Sequence, residues 1–145
     1  MRFSILILTL FAMALPKDIR AQSLNDYQWK NRILLLVDPG PDTDVLKAQL
    51  DELKSDQEAL EERDLIIFRV TPDAVYRSDA SPSKLRAKKI YEDFDLDSDF
   101  SGTVLIGKDG GAKLEEPFEV SARQVFDLID GMPMRRAEIR KNKKN

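Results

Sequence analysis

The sequence predicts an α/β domain, a mixed four-stranded sheet with helices on both faces in the order β-α-β-α-β-β-α. Three observations predict it. Short apolar runs at 32–37, 65–70 and 103–106 lack helical spacing, as strands covered on both faces do. Between them, apolar residues recur at threes and fours among charged ones, the pattern of amphipathic helices. After the third run, Asp109-Gly110 marks the tight turn that joins antiparallel strands.

Arg32-Ile33-Leu34-Leu35-Leu36-Val37 is the first strand, and Asp38-Pro39-Gly40-Pro41 breaks it. From Asp42, the spacing of Leu46, Leu50, Leu53 and Leu60 predicts one helix, with Gln57 in its polar gap. Asp42 or Thr43 can cap its start, and Arg63 can reach the carbonyls at its end. Leu65 to Val70 is the second strand, closed by Thr71-Pro72. Ser81 before Pro82 is a start signal for the second helix, whose inner face is Ala87, Ile90, Tyr91 and Phe94. Thr103 to Ile106 is the third strand, and Ala112 to Phe118 its partner, an edge because of Pro117. Ser121 and Gln124 form a capping box for the last helix, with Val120 and Val125 as its staple. Val125, Leu128 and Ile129 give that helix a buried face, and Gly131 and Pro133 stop it. Tyr27 and Trp29 alternate ahead of the first strand and are expected to be buried as its extension, with an exposed aromatic recognition patch as the alternative.

Residues 1–21 have the layout of a secretory signal: Arg2, an apolar run from Phe3 to Leu15, then a polar stretch. The run is shorter than the roughly 20 residues a spanning helix needs, so no membrane span is expected once it is removed. Cleavage is expected between Ala21 and Gln22, with Ala12-Met13-Ala14 as an upstream alternative. A periplasmic or secreted product follows, with one domain at 22–134 and a basic tail at 135–145. The domain holds 14 basic and 24 acidic residues, whereas the tail holds six basic residues against Glu138 alone. An acidic body disfavours nucleic acid, whose binding draws on Lys and Arg neutralising phosphates. The chain has no cysteine and no histidine, which excludes disulfides, thiol-disulfide exchange, imidazole catalysis and a cysteine-borne lipid. Stability must come from a packed core.

The order of elements matches the thioredoxin fold. Residues 26–32 around Trp29 and Arg32, 60–65 around Arg63, 105–111 with Lys108, Asp109, Gly110 and Gly111, and Met132-Pro133-Met134-Arg135 add to the match. Together they resemble a thioredoxin-like domain-of-unknown-function family of exported bacterial proteins, shared distantly with animal extracellular sushi-repeat proteins. The resemblance runs from about residue 24 to 140 and implies fold and compartment, with no catalytic residues and no cofactor. In redox-active thioredoxins a Cys-x-x-Cys pair sits where the first helix begins. Here Pro39 and Asp42 stand in those places, and Gly102 takes the place of the proline that precedes the third strand.

Other motifs have plainer readings. Gly102 to Lys108 spells G-x-x-x-x-G-K, but its middle is a strand and a hairpin follows, unlike a phosphate-binding loop. Ser81-Pro82-Ser83-Lys84 matches S-x-x-K, which helix capping also explains. Asp95, Asp97 and Asp99 are candidate metal ligands in an acidic loop, although no register of the loop gives an EF-hand. The basic tail reads as a frayed solvated segment, or as a docking element for anionic envelope polymers or an acidic partner. The expected function is a noncatalytic binding module whose partner is a protein or an envelope polymer. The alternatives are a carboxylate- or metal-dependent enzyme working at the acidic loop or beside Asp38 and Asp42, and a thiol-free accessory of a redox system.

Overall fold

The computed structural model describes residues 22–144, so the expected signal at 1–21 lies outside the described residues. A single 3₁₀ turn (Leu24–Tyr27) leads into β1 (Arg32–Val37), α1 (Asp44–Lys54), α2 (Gln57–Glu62), β2 (Leu65–Val70) and β3 (Val75–Arg77). The chain continues through α3 (Ala87–Asp93), β4 (Gly102–Ile106), β5 (Ala112–Pro117), α4 (Ala122–Asp130) and α5 (Pro133–Asn142). The sheet order is β3-β2-β1-β4-β5, with β1 and β2 parallel and every other neighbour antiparallel. This is the expected mixed α/β architecture, with one strand more than the four predicted.

Every residue of β1 is buried, as expected of a central strand covered on both faces. Its alternation divides the core in two. Leu34 and Leu36 join Leu46, Leu50, Leu53 and Leu60 of α1 and α2 and Val125 and Ile129 of α4 on one face. Ile33, Leu35 and Val37 join Phe68, Val70, Val104, Ala87 and Ile90 on the other, under α3. Each fully buried side chain of this kind contributes about 1.5–3 kcal/mol relative to exposure. In a chain without disulfides the two apolar layers are the main stabilising term.

Four local expectations are corrected. The helix expected from Asp42 to Leu60 is two, because Asp56 accepts a hydrogen bond from the Ala59 amide (2.9 Å) and starts α2, while the Ser55 hydroxyl donates to the Glu52 carbonyl (2.6 Å). The second expected helix starts at Ala87, since Ser81 donates instead to Asp79 (2.6 Å) and Pro82 bridges to Tyr76. Val75–Arg77 forms an edge strand through its pairing with Phe68 to Val70, a tertiary gain that three residues do not announce. Residues 135–142 are not a frayed tail but most of α5, with Pro133 at the first helical position, where its missing N–H costs nothing.

Other signals hold. Thr43 caps α1 by accepting from the Leu46 amide (3.3 Å), and Arg63 donates to the Ala59 carbonyl at the end of α2 (2.9 Å). Ser121 accepts from the Gln124 amide (3.1 Å), although the Gln124 side chain turns to Glu116 (3.1 Å) rather than closing the capping box. Buried Gln49 exchanges two bonds with the Val120 backbone (2.6 and 2.7 Å), tying α1 to the entrance of α4.

Gly102 has no room for a side chain: a Cβ there would strike the Glu116 carbonyl, the Phe100 ring (2.8 Å) and Pro117 Cα (2.9 Å). Gly102→Ala is therefore expected to cost about 1–3 kcal/mol, read as a lower urea midpoint. An unchanged midpoint would contradict this close packing of β5 on β4.

Candidate functional site

At the C-terminal end of β1, the place of a redox turn is occupied by a closed cap. Asp38 is buried and accepts a hydrogen bond from the Thr43 hydroxyl, which also caps α1. Pro39 and Asp42 lie exposed beside it. Asp42 meets the buried Arg69 guanidinium at 3.4 Å, and Arg69 lies over the Tyr76 ring at 5.8 Å. On the other side Tyr91 has a buried hydroxyl without a partner; burial pushes its pKa up, and the charges of Asp38 and Asp73 add to that. Gly102 is itself the first residue of β4.

Asp95, Asp97 and Asp99 are exposed in the loop between α3 and β4. Among the described residues, no group of three or more carboxylates is placed to hold a metal ion. The G-x-x-x-x-G-K outline forms strand and hairpin, and Lys108 points to carboxylates rather than into a phosphate cradle.

The opposite end of the sheet gathers four of the residues that carried the family resemblance. Arg32 opens β1 with only 1% of its surface exposed, and its guanidinium donates twice to Glu138 (3.3 Å each) and once to the Arg63 carbonyl (2.9 Å). Lys108, 9% exposed, bridges Glu138 (2.7 Å) and Asp64 (2.8 Å). Arg135, 6% exposed, binds Asp130 (3.1 Å) and the Glu62 carbonyl (2.7 Å). Arg63 binds the other oxygen of Asp130 (2.7 Å) and lies 4.6 Å over the Phe126 ring. The buried cations are thus matched by carboxylates from α5, α4 and the residue before β2.

The remaining resemblance residues frame this cluster. Asp109 and Gly110 make the expected turn, with Gly110 at φ 85° and Asp109 accepting from the Gly111 amide (3.0 Å) and Lys113 (2.7 Å). The Lys113 hydrogen bond, helped by the Gly111 amide, lowers the Asp109 pKa. Met132 and Pro133 open α5, and Met134 is exposed on it. Trp29 was expected to be buried and is 63% exposed, because the turn after Tyr27 puts it at φ 66°. Only Tyr27 turns inward, edge-on to Phe68 at 5.7 Å. The Trp29 amide donates to the Lys108 carbonyl (2.7 Å), and the Gln28 side chain donates to that of Asp109 (2.9 Å).

Next to that hairpin is a cleft of about 250 Å³ between the 3₁₀ turn, the β4–β5 turn and the end of α3. Its polar lining comes from Asn25, Gln28, Asn31 and Asp93, and its apolar lining includes Tyr27 and Phe94. Sequence reasoning missed the cleft and the carboxylate half of the cluster. The one signal for the latter was Glu138, a lone acid in a basic run. Amides scattered over residues 25 to 31 gave no signal for the former.

Fold and site together define a thioredoxin-like domain without cysteine. The chain belongs to the family described as Domain of unknown function (DUF4174), whose model matches residues 23–138. Its fold is similar to that of the reduced 2-Cys peroxiredoxin of Plasmodium vivax, at 18% identity and TM-score 0.58 over 79% of this chain and 72% of that one. Thioredoxin peroxidase I of Plasmodium yoelii is similar at 17% identity and TM-score 0.52, over 83% of this chain and 79% of that one. The mitochondrial 2-Cys peroxiredoxin of Plasmodium falciparum matches at 15% and 0.51, over 74% and 78%. No curated protein matches the chain.

Glu138 and Asp130 set the acid sensitivity of the cluster. Burial alone would raise both pKa values, but hydrogen bonds from Lys108 and Arg32 to Glu138, and from Arg63 and Arg135 to Asp130, outweigh it and lower them. Depressed folded values mean stabilisation that is full above the ordinary values of 4.5 and 3.8 and is lost as pH falls below them. Glu138→Gln, which leaves Arg32 without its carboxylate, is expected to cost about 3 kcal/mol at neutral pH and much less near about pH 3. Urea unfolding of both proteins at the two pH values checks this; an equal difference at both would refute the clamp.

Proposed function

We propose that the chain is an exported, noncatalytic binding module on a thioredoxin-like scaffold without the redox cysteines. The observation that carries this reading is the cleft beside the β4–β5 turn. Its amides and aromatic faces suit recognition, and Asp93 at its rim is already paired with Lys89 at 2.8 Å. The redox-turn position supports the same reading, because its buried carboxylate is committed to accepting from the Thr43 hydroxyl, which itself caps α1. The partner is a protein or a polymer of the envelope, and export rests on the signal-like residues 1–21. The carboxylate-enzyme alternative finds less support, since Asp95, Asp97 and Asp99 are dispersed on an exposed loop.

Asn25→Trp fills the cleft from its exposed rim while keeping the backbone bond from residue 25 to Ser23. The wild-type chain is expected to retain a specific component of envelope extract, and this variant to retain it at least about tenfold less tightly, a loss of ~1.4 kcal/mol. Equal retention by both would exclude the cleft. Turnover by the purified protein that disappears in Asp38→Asn would replace the binding reading with an enzymatic one.

A further inference from the structure

We propose that the end of the molecule bearing α5 and Trp29 docks on the surface of an anionic phospholipid bilayer. This goes beyond the binding role of the cleft and does not depend on what the cleft holds. The inner face of α5 is spent on the ion-pair cluster, through Arg135 and Glu138. Its outer face carries Arg136, Arg140 and Lys141, and Lys143 and Lys144 continue it past the helix end; all five are exposed. None of them has a carboxylate within 4.0 Å among the described residues. At 3.6 residues per turn Arg136, Arg140 and Lys141 span about 140° of the helix surface.

Helix stability does not account for that arrangement. Cations in the last turn favour a helix, but Arg136 lies in the first turn, where positive charge is unfavourable. Arg136 and Arg140 repel each other at a spacing of four on the helix. Arg136 is therefore held against the helix's own preference, while the helix is pinned by its other face. Residues 22–134 carry 14 basic and 24 acidic side chains, so a negatively charged surface repels the body and attracts this end.

Trp29 selects a bilayer over a soluble polyanion. It is the only tryptophan of the chain, it is 63% exposed, and its backbone is fixed on Lys108. Lys108 is also the residue that holds Glu138 of α5 at 2.7 Å. The indole and the cationic helix thus hang from one anchor at one end of the sheet. Tryptophan concentrates at the headgroup level of membranes, where its ring is apolar and its N–H remains solvated. A linear polyanion needs the cations alone. Contact is at the surface, since no helix among the described residues is long and apolar enough to cross a membrane.

The single tryptophan reports directly on the proposal. The chain beginning at Gln22, which carries the whole described fold, is mixed at low salt with vesicles of phosphatidylcholine alone or with about 30% phosphatidylglycerol. With the anionic vesicles we expect co-sedimentation and a blue shift of Trp29 emission, both reversed by about 0.5 M salt and absent with the neutral vesicles. The triple variant R136E/R140E/K141E is expected to lose at least about tenfold in partitioning while keeping a single cooperative unfolding transition, its melting temperature lowered only slightly by the two reversed charges in the last turn of α5. No binding to anionic vesicles at low salt would overturn the proposal. So would retention of vesicle binding by the triple variant, or binding to soluble polyphosphate without binding to vesicles. Sedimentation without any change in emission would overturn the assignment of Trp29.

Discussion

The guanidinium of Arg32 is a full charge at the start of the most deeply buried strand, and the rest of the structure has to answer it. A cation removed from water at that depth needs a partner and most of its donors satisfied; here both terminal nitrogens are bonded and Nε alone is left without a partner among the described residues. Glu138 supplies the partner and the Arg63 carbonyl takes a further bond, which fixes α5 and the end of α2 against the sheet. Glu138 is shared with Lys108, so the β4–β5 turn is held by the same carboxylate, and Lys108 brings in Asp64 ahead of β2. Through one buried charge, the first strand, the hairpin and the last helix become mutually dependent. The apolar layers supply most of the stabilisation, while the ion pairs decide which elements meet.

Much of this fold was legible because its strands are driven by burial and its helices by amphipathic spacing. The 32–37, 65–70 and 103–106 runs needed no tertiary knowledge, and the Asp109-Gly110 turn and Thr43 cap are local chemistry. Two of the failures share a cause. Val75–Arg77 is a strand only because β2 offers it an edge, and residues 135–142 are held to the domain because buried cations elsewhere need Glu138. A basic helix whose single acid faces inward looks, in one dimension, like a solvated tail. The same blindness applied to the site: the cations of the cluster stood out as a resemblance, but their partners come from residues up to 106 positions away. Trp29 failed for a different reason, since alternation with Tyr27 suggested a strand where the backbone makes a left-handed turn.

The two ends of the sheet have separate characters. At the C-terminal end of β1, polar groups serve the cap of α1, and Gly102 leaves no space above β4. At the other end lie the exposed aromatic, the amide-lined cleft and the exposed cations of α5. The likeness to peroxiredoxins is a likeness of scaffold. What distinguishes this chain lies at the sheet end remote from the turn where thioredoxins keep their sulfurs.

The Arg32–Glu138 pair also joins the first strand of the domain to its last helix, closing nearly the whole described chain into a ring without a covalent bond. The start of β1 and the middle of α5 are thereby held together at one end of the sheet. A domain whose first strand and last helix are locked to each other keeps both docked until it opens as a whole, so neither offers an early foothold for local unfolding.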